Sequence, residues 1–299
     1  MCDRNLIETF LSFLKNNRKT AHNTLSAYER DLSFFADYLD VKGIDFNNVD
    51  SNVVSEYKKV LENNGKSVAT VSRYMSALRS FYKFLVVSSY IDVNPAVKVK
   101  NDKTEKKFFE VLTEEEIDRL LSQPDSKDFK GMRDRAMLEI LYATGMKVSE
   151  LISLDLSDVN LKLGCVKCRS SKDSAKNRVI LLYPDAVKLV GEYILKSRPY
   201  FIVNTDETSL FVNINGERMT RQGFWKILKS YAEKADISKS ITPHTLRHSF
   251  ATHLLENGAD INDIKNILGH SDISSTNVYN DFIKSKINNS YLRYNHRAK

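Results

Sequence analysis

Apolar residues in the first ninety positions repeat with the period of an α-helix, and this pattern limits the fold more than any other. In the clearest stretch, near 67–88, seven of them recur at three- and four-residue steps: Val68, Val71, Met75, Leu78, Phe81, Tyr82 and Leu85. This spacing places them on one helix face, which such a helix buries against a core. Similar stretches near 4–15, 23–40 and 50–63 predict three further helices.

The opposite side of the last of these helices carries hydroxyl groups and cations, including Arg73, Arg79 and Lys83. Such a face suits the phosphate groups of DNA, and it equally suits contact with water. Both interpretations stay open at this stage. The three cations are therefore candidate DNA-binding residues.

The pattern changes after this helix. Asn94 precedes Pro95, and a residue before proline avoids helical backbone. The following stretch from Lys98 to Lys107 is charged and has no period, as expected of a linker. We predict an N-terminal helical domain over 1–92, a linker over 93–107 and a second domain over 108–299.

The second domain mixes helical patterns with a short stretch of period two. Thr113 and Glu116 have the spacing of a capping box, and further helices are predicted near 131–143, 220–235, 243–257, 260–268 and 272–282. Residues 159–183 predict a β-hairpin or small sheet, and Phe211–Ile214 predicts one more strand. The expected fold class is mainly α, with two domains and a small antiparallel β-sheet in the second.

Composition limits the function classes. The 299 residues carry a formal net charge of +7, which favours a polyanionic partner such as nucleic acid but does not establish one. No apolar run approaches the roughly 18 residues of a membrane span, so we expect a cytoplasmic protein without membrane contact. Cys2, Cys165 and Cys168 are too few for a disulfide scaffold. Because residues three apart on a strand face opposite sides, Cys165 and Cys168 do not predict a metal or redox pair.

Residues with chemical potential are densest in the last sixty positions. Thr242 and Pro243 have the order of a helix start, and the helix would carry His244 and Arg247 on one face. His270 follows Gly269, and Tyr279 lies nine residues further on. His244 and His248 have the spacing of a zinc-binding helix, but Thr245 stands where that motif has Glu, so no metal site is predicted.

These stretches resemble the signature boxes of the tyrosine site-specific recombinases, the phage integrase family, and of the Xer type (XerC/XerD) in particular. The resemblance rests on Thr242–His253, Leu268–Ser274 and Tyr279, and it extends to three further stretches: Leu141–Leu151, the hairpin with Lys172, and Thr220–Trp225. It spans essentially the whole chain. It implies a four-helix, SAM-like core-binding domain followed by a catalytic domain.

The resemblance also implies a mechanism for DNA strand exchange. Tyr279 would attack the scissile phosphodiester and form a 3′-phosphotyrosine, while Arg247 and His270 bind the nonbridging oxygens. His244 would assist proton movement, and Lys172 would protonate the departing 5′ oxygen. No metal or nucleotide cofactor is needed, because cationic side chains can neutralise the charge that grows on the phosphate.

The chain departs from the family pattern at position 147, where Lys replaces the first catalytic Arg. Lysine keeps the charge but loses the planar fork that matches two phosphate oxygens. We therefore expect DNA binding to survive and cleavage to be weaker. The flanking residue Glu150 could pair with a catalytic cation or join helices.

Two further assignments depend on register. Lys172 fits the family lysine if the turn holds one extra residue. Rigid counting from Arg178 would place Asp173 there, and Lys176 is the other candidate. Arg221 and Gln222, at the start of a helix, are candidates for contact with base edges or phosphates.

The resemblance implies double-stranded DNA recombination sites as partners, with a homo- or hetero-tetramer on two sites. A second Xer-type recombinase and a cell-division DNA translocase are the expected additional partners, and residues 281–299 are expected to dock on a neighbouring protomer. Chromosome dimer resolution is the expected role. The alternatives are a type IB topoisomerase, an integrase or transposase of a mobile element, and a DNA-binding protein with little catalysis.

Overall fold

The structure is a computed structural model that describes residues 2–18, 20, 22–100, 109–169, 177–269 and 275–279. The chain divides into two compact units, Met1–Lys107 and Phe108–Lys299. The described parts are mostly helical, which confirms the predicted fold class. None of the described helices is both long enough and apolar enough to cross a membrane.

The first unit contains the four predicted helices: α1 (Asn5–Arg18), α2 (His22–Lys42), α3 (Ser51–Asn63) and α4 (Val68–Val87). Side chains of Asp50 and Ser67 cap α3 and α4 by accepting hydrogen bonds from backbone N–H groups of the first turn. The predicted apolar stripe of α4 is buried apart from Val68, which begins the helix and is 47% exposed. Aromatic side chains dominate this core, among them Phe10, Phe35, Phe46, Phe81 and Tyr82.

The second unit contains eight helices in its described parts. Their bounds are α5 (Glu114–Ser122), α6 (Phe129–Thr144), α7 (Val148–Ile152), α8 (Pro184–Glu192), α9 (Arg198–Phe201), α10 (Arg221–Lys234), α11 (Pro243–Glu256) and α12 (Ile261–Leu268). Residues 275–279 are also helical. The predicted capping box of α5 is present, because Thr113 and Glu116 each accept the other's backbone N–H. Helix α6 lies in the middle of the unit, where Ala136 to Leu141 are buried around its whole circumference.

A three-stranded antiparallel sheet follows α7, as the period-two pattern predicts. Its strands are β1 (Val159–Asn160), β2 (Cys165–Cys168) and β3 (Arg178–Leu181), in the order β1-β2-β3. Val166 lies opposite both Val159 and Ile180, and Cys168 lies opposite Arg178. Cys168 is buried while Cys165 is partly exposed, so the two free thiols face opposite sides of the strand.

The predicted strand at Phe211–Ile214 was wrong. Only a single bridge forms there, between Val212 and Arg218. The Asn213 side chain closes the turn beside this bridge by accepting hydrogen bonds from the N–H groups of Asn215 and Glu217. The apolar character of this stretch instead reflects complete burial of Phe211 and Val212.

Helix α6 ends at Gly145, whose left-handed backbone (φ 56°) is favourable for glycine. A Cβ atom there would lie 2.3 Å from Cδ1 of Phe250, so the position also lacks space. Gly258 is the matched control, since it also has positive φ (89°), but a Cβ atom added there would have no neighbour within 4 Å.

We expect Gly145→Ala to lower the free energy of unfolding of the second unit by roughly 3 kcal/mol, from backbone strain and overpacking together. Gly258→Ala should lose only about 1 kcal/mol, the backbone part alone. Urea unfolding of each full-length variant followed by circular dichroism measures both losses. Equal losses would show that contact with Phe250 is unimportant.

Candidate active site

Helix α11 carries two of the predicted catalytic side chains at its start. Thr242 accepts a hydrogen bond from the N–H of Thr245, and Pro243 occupies the first helical turn, where its missing N–H costs nothing. His244 reaches the surface one residue later, whereas the side chain of Arg247 is buried. The first turn of α11 thus presents an imidazole and a guanidinium on the same side of the helix.

The guanidinium of Arg247 joins the ends of two other helices. It donates to the carbonyl oxygen of Gly145, which ends α6, and to that of Leu268, which ends α12, at 2.7 Å. Gly145 and Gly269 both adopt left-handed backbone at these ends. Carbonyl groups at helix C-termini carry partial negative charge, so they are favourable partners for a buried cation. Burial still lowers the pKa of Arg247 below its ordinary value.

Arg178 forms a second cationic junction beside the first. It donates to both carboxylate oxygens of Glu150, at 3.0 and 2.9 Å, and to the carbonyl oxygen of Ile267, at 2.6 Å. Glu150 also accepts the backbone N–H of Lys147, at 2.8 Å. The open question about Glu150 is thereby answered, since it joins α7 to β3. A Cβ on Gly269 would lie 2.9 Å from Nη1 of Arg178, so this junction also needs glycine there.

Opposing effects act on the ionisation of Glu150. Burial alone would raise the pKa of its carboxyl group, but the hydrogen bonds from Arg178 and from the N–H of Lys147 outweigh burial. The positive charges of Arg178 and Arg247 act in the same direction. The pKa of Glu150 therefore lies below its ordinary value, and the carboxylate is charged at neutral pH.

Positive charge also surrounds His244. Partial burial lowers the pKa of its imidazole, and the charges of Arg247, Arg221 and Lys147 lower it further. The side chain of Lys147 is exposed at the start of α7. A surface groove of about 420 Å³ adjoins His244 and is lined by Val148, Arg221, Gln222, Trp225 and Pro243. The combination of cations and a neutral imidazole is suited to an anionic ligand.

Tyr279 lies in the interior, with only 1% of its surface exposed. Its hydroxyl is 3.1 Å from Nδ1 of His248, which follows Arg247 on α11. Burial raises the pKa of Tyr279, and the charge of Arg247 opposes this rise in part. Burial lowers the pKa of His248 to about 4, so its ring is neutral at physiological pH.

The aromatic ring of Phe109 covers this pair. It stacks on the His248 ring at a centroid distance of 4.4 Å and meets the Tyr279 ring edge-on at 5.3 Å. Phe109, His248 and Arg178 are the residues of this region that the sequence analysis did not assign. The spacing of His248 from His244 was a usable signal, but it was considered only for zinc.

Four of the six predicted catalytic residues lie in the described parts of the chain: Lys147, His244, Arg247 and Tyr279. Electrostatic coupling connects Arg247 with both His244 and Tyr279, and Lys147 with His244. Lys172 and His270 lie outside the described residues, and so does Lys176, the alternative to Lys172. Among the described residues, no group of three or more His, Cys, Asp or Glu is arranged to hold a metal ion.

The candidate DNA-binding residues of α4 have different surroundings. Arg73 forms an ion pair with the buried carboxylate of Asp31, and Arg79 donates to the carbonyl oxygens of Ala96 and Val99. Lys83 is exposed. These contacts assign Arg73 and Arg79 roles within the first unit, and phosphate contact by the three residues stays a prediction.

Comparison with known proteins follows the same division of the chain. Residues 110–285 match the phage integrase family, and residues 7–88 match the phage integrase N-terminal SAM-like domain. Tyrosine recombinase XerD of Staphylococcus epidermidis is 42% identical over 296 residues, which cover 98% of this chain and 99% of that protein. Tyrosine recombinase XerD of Oceanobacillus iheyensis is 42% identical over 295 residues, 98% of each chain.

Solved structures give the same fold. The XerH site-specific recombinase in its post-cleavage complex with palindromic difH substrate has a TM-score of 0.77 at 22% identity, covering 96% of this chain and 84% of that one. A variant of the Tn1549 transposon integrase in complex with a circular intermediate DNA has a TM-score of 0.75 at 20% identity, covering 95% and 98%. XerA recombinase is 26% identical with a TM-score of 0.55, covering 98% of both chains.

The pair formed by Glu150 and Arg178 makes stability depend on pH. Since the pKa of Glu150 is lower in the folded protein than in the unfolded chain, its contribution is complete above the unfolded pKa and is lost as pH falls through the folded pKa. We expect Glu150→Gln to lower the free energy of unfolding by about 3 kcal/mol at pH 7, because Arg178 then keeps a buried charge without a counter-ion.

Urea unfolding between pH 7 and pH 3 measures this effect, and the gap between the two proteins should narrow toward acid. Glu233→Gln is the matched control, because Glu233 forms an exposed pair with Lys229 on α10. That substitution should change stability by less than about 1 kcal/mol. A gap at Glu150 that did not depend on pH would contradict the assignment.

Proposed function

The chain belongs to the phage integrase family and is an Xer-type tyrosine recombinase, an enzyme that cleaves and rejoins DNA at specific sites, and we propose that Tyr279 is its nucleophile. The observation that carries this proposal is the coupling of a buried phenol to a guanidinium, Arg247, that is fixed by two helix ends. A phosphodiester beside this guanidinium would have its charge compensated where charge grows in the transition state.

The proposed reaction conserves the energy of the DNA backbone. The Tyr279 phenol gives up its proton with the assistance of His244, and its Oη atom bonds to phosphorus. The bond from phosphorus to the 5′ oxygen breaks, and the departing oxygen takes a proton from Lys172. The 3′-phosphotyrosine is then attacked by a 5′ hydroxyl of the other duplex, which releases the tyrosine. Arg247 and His270 bind the nonbridging oxygens, while His244 assists the proton transfers. No metal or nucleotide takes part in these steps.

Chromosome dimer resolution is the role that we propose, and the XerD relatives support it. On this proposal four protomers assemble on two recombination sites, either as one protein or together with a second Xer-type recombinase. Residues 281–299 would dock on a neighbouring protomer, and a cell-division DNA translocase would control the assembly. An enzyme of this role acts in the cytoplasm. A mobile-element role is the alternative, supported by the fold shared with the Tn1549 integrase.

The presence of Lys147 determines the rate of DNA cleavage that we expect. Its ammonium contributes positive charge beside His244, but as a point charge it cannot bind two phosphate oxygens in the plane of a fork. We expect Lys147→Arg to raise the rate of covalent adduct formation on a nicked suicide duplex by about 10- to 100-fold. Single-turnover assays at saturating protein measure the rate, and gel shifts should give unchanged DNA affinity.

Tyr279→Phe is the control, and it should form no adduct in either background. An adduct rate that did not rise in Lys147→Arg would contradict the placement of Lys147 at the family arginine position. Tight binding without any adduct, even in that variant, would favour a DNA-binding protein with little catalysis. Relaxation of supercoiled DNA without sequence preference would favour a type IB topoisomerase.

The N-terminus of α10 is the proposed point of base recognition. Thr220 caps this helix, and the exposed side chains of Arg221 and Gln222 line the groove beside His244. Arginine can donate two hydrogen bonds to guanine, and glutamine can pair with adenine in the same way. Their position would join base recognition to the site of cleavage.

We expect Arg221→Ala to weaken binding to the cognate site by about 1–3 kcal/mol and to relax the preference for one base pair. Selection of bound sites from random duplexes measures that preference. Lys196→Ala is the matched control, because Lys196 is an exposed cation that pairs with Glu192 and is not among the residues that line this groove. The same loss of affinity on all sequences would assign Arg221 to phosphate contact instead.

A further inference from the structure

The hydroxyl of Tyr279 is not available to a phosphate in this structure. The ring belongs to an apolar cluster with Phe250, Ala251, Ile264 and Leu268, and it is 1% exposed. The polar contact that the structure gives its hydroxyl is with Nδ1 of His248, at 3.1 Å. In-line attack on phosphorus needs this oxygen at the surface of the site. The ring must therefore leave its pocket before it can react.

His248 is positioned to hold the phenol by a hydrogen bond. A neutral imidazole has one donor and one acceptor nitrogen, so in the tautomer with its proton on Nε2, the Nδ1 atom accepts a hydrogen bond from the Tyr279 hydroxyl. The Phe109 ring lies on the far side of this imidazole, nearly parallel to it at an interplanar angle of 19°. The two stacked rings therefore contact Tyr279 at two places: His248 lies at its hydroxyl, and Phe109 lies against its ring.

The backbone that follows Phe109 is hydrogen-bonded to side chains of helix α11. The N–H of Leu112 donates to the hydroxyl of Ser249, and the carbonyl oxygen of Leu112 is 2.9 Å from Nε2 of His253. Ser249 and His253 lie on α11, the helix that carries His248. Phe109 stands three residues before this fixed point, and the predicted linker ends two residues before Phe109.

We propose that Phe109 and His248 are positioning residues that hold Tyr279 retracted from the scissile phosphate, and that the nucleophile is released when Phe109 leaves the stack. This inference rests on the proposed role of Tyr279. It makes the segment after the linker a control element for cleavage, because the stack can open while Leu112 keeps its two hydrogen bonds to α11.

Nitration of the free protein tests the proposal without any need for activity. Wild-type protein is treated with tetranitromethane at pH 8, and nitration of Tyr279 is measured by peptide mass spectrometry. We expect Phe109→Ala to raise nitration of Tyr279 about ten-fold or more, since the minor state of such an equilibrium is commonly only about 0.1–10% populated. Phe129→Ala is the matched control, because Phe129 stacks on Tyr200 at the surface of the same unit and should leave Tyr279 protected.

His248→Phe tests the hydrogen bond separately from the stack. Phenylalanine keeps a ring against Phe109 but offers no acceptor, so the Tyr279 hydroxyl would lose its partner inside an apolar pocket and the ring would leave it more often. Nitration of Tyr279 should rise in this variant as well. This second variant also covers the case in which Phe109→Ala fails to fold, which thermal unfolding detects.

Adduct formation on the suicide duplex completes the test. In the Lys147→Arg background, Phe109→Ala should form adduct several-fold faster than its parent while binding DNA equally well. Unchanged nitration of Tyr279 in both variants would overturn the proposal. A slower adduct reaction with unchanged nitration would also overturn it, and would show that the stack supports the reactive position of Tyr279 instead. Absence of adduct in every protein would count against the proposed function, whereas the nitration result would still decide the role of the stack.

Discussion

The ends of two helices meet at the buried guanidinium of Arg247, and the geometry of the second unit depends on that contact. Arg247 on α11 donates to carbonyl oxygens at the ends of α6 and α12, and each helix ends with a left-handed glycine. The carbonyl dipoles supply partial negative charge without adding a titratable group. A cation that a phosphate would later bind is thus kept charged and fixed in the absence of any anion.

The junction between Arg178 and Glu150 also places negative charge beside a buried cation. Arg178 would repel Arg247 if it had no counter-ion, and Glu150 supplies one through two hydrogen bonds. The Glu150 carboxylate lowers the local positive charge at the base of the site, where it joins α7 to β3. Lys147 and Arg221 carry their positive charge at the surface beside the neutral imidazole of His244, where a ligand could approach. The carboxylate of Glu150 therefore compensates charge in the interior, and cationic side chains lie toward the groove.

Local chemistry made much of the fold predictable. The stripe on α4 and the capping box at Thr113 depend on neighbouring residues, and both were confirmed. The helical stretch from Pro184 to Phe201 was not predicted. A π-helical turn at Tyr193–Ser197 separates its two helices, adds a residue and shifts the period between them. The strand at Phe211–Ile214 was wrong because buried apolar residues outside a sheet, here Phe211 and Val212, give the same pattern as a short strand.

Contacts between residues that lie far apart in the sequence could not be predicted from local patterns. Glu150 and Arg178 are 28 positions apart, and Gly145 and Arg247 are 102 apart. No periodicity relates such positions, so the family resemblance could indicate Arg247 and Tyr279 but not the groups that hold them. His248 and Phe109 belong to this second class, since their importance comes only from the packing around Tyr279.

Burial of the Tyr279 phenol and the charge of Arg247 have opposite effects on its ionisation. The charge of Arg247 favours the phenolate form of Tyr279, the form that the proposed attack on phosphorus would use. An exposed tyrosine at this position would be a reactive nucleophile at rest. The apolar pocket opposes the effect of Arg247 and keeps the phenol neutral. On the proposed mechanism, a site that activates its nucleophile by fixed charge needs a second element that withholds the nucleophile, and packing against Phe109 and His248 would provide it.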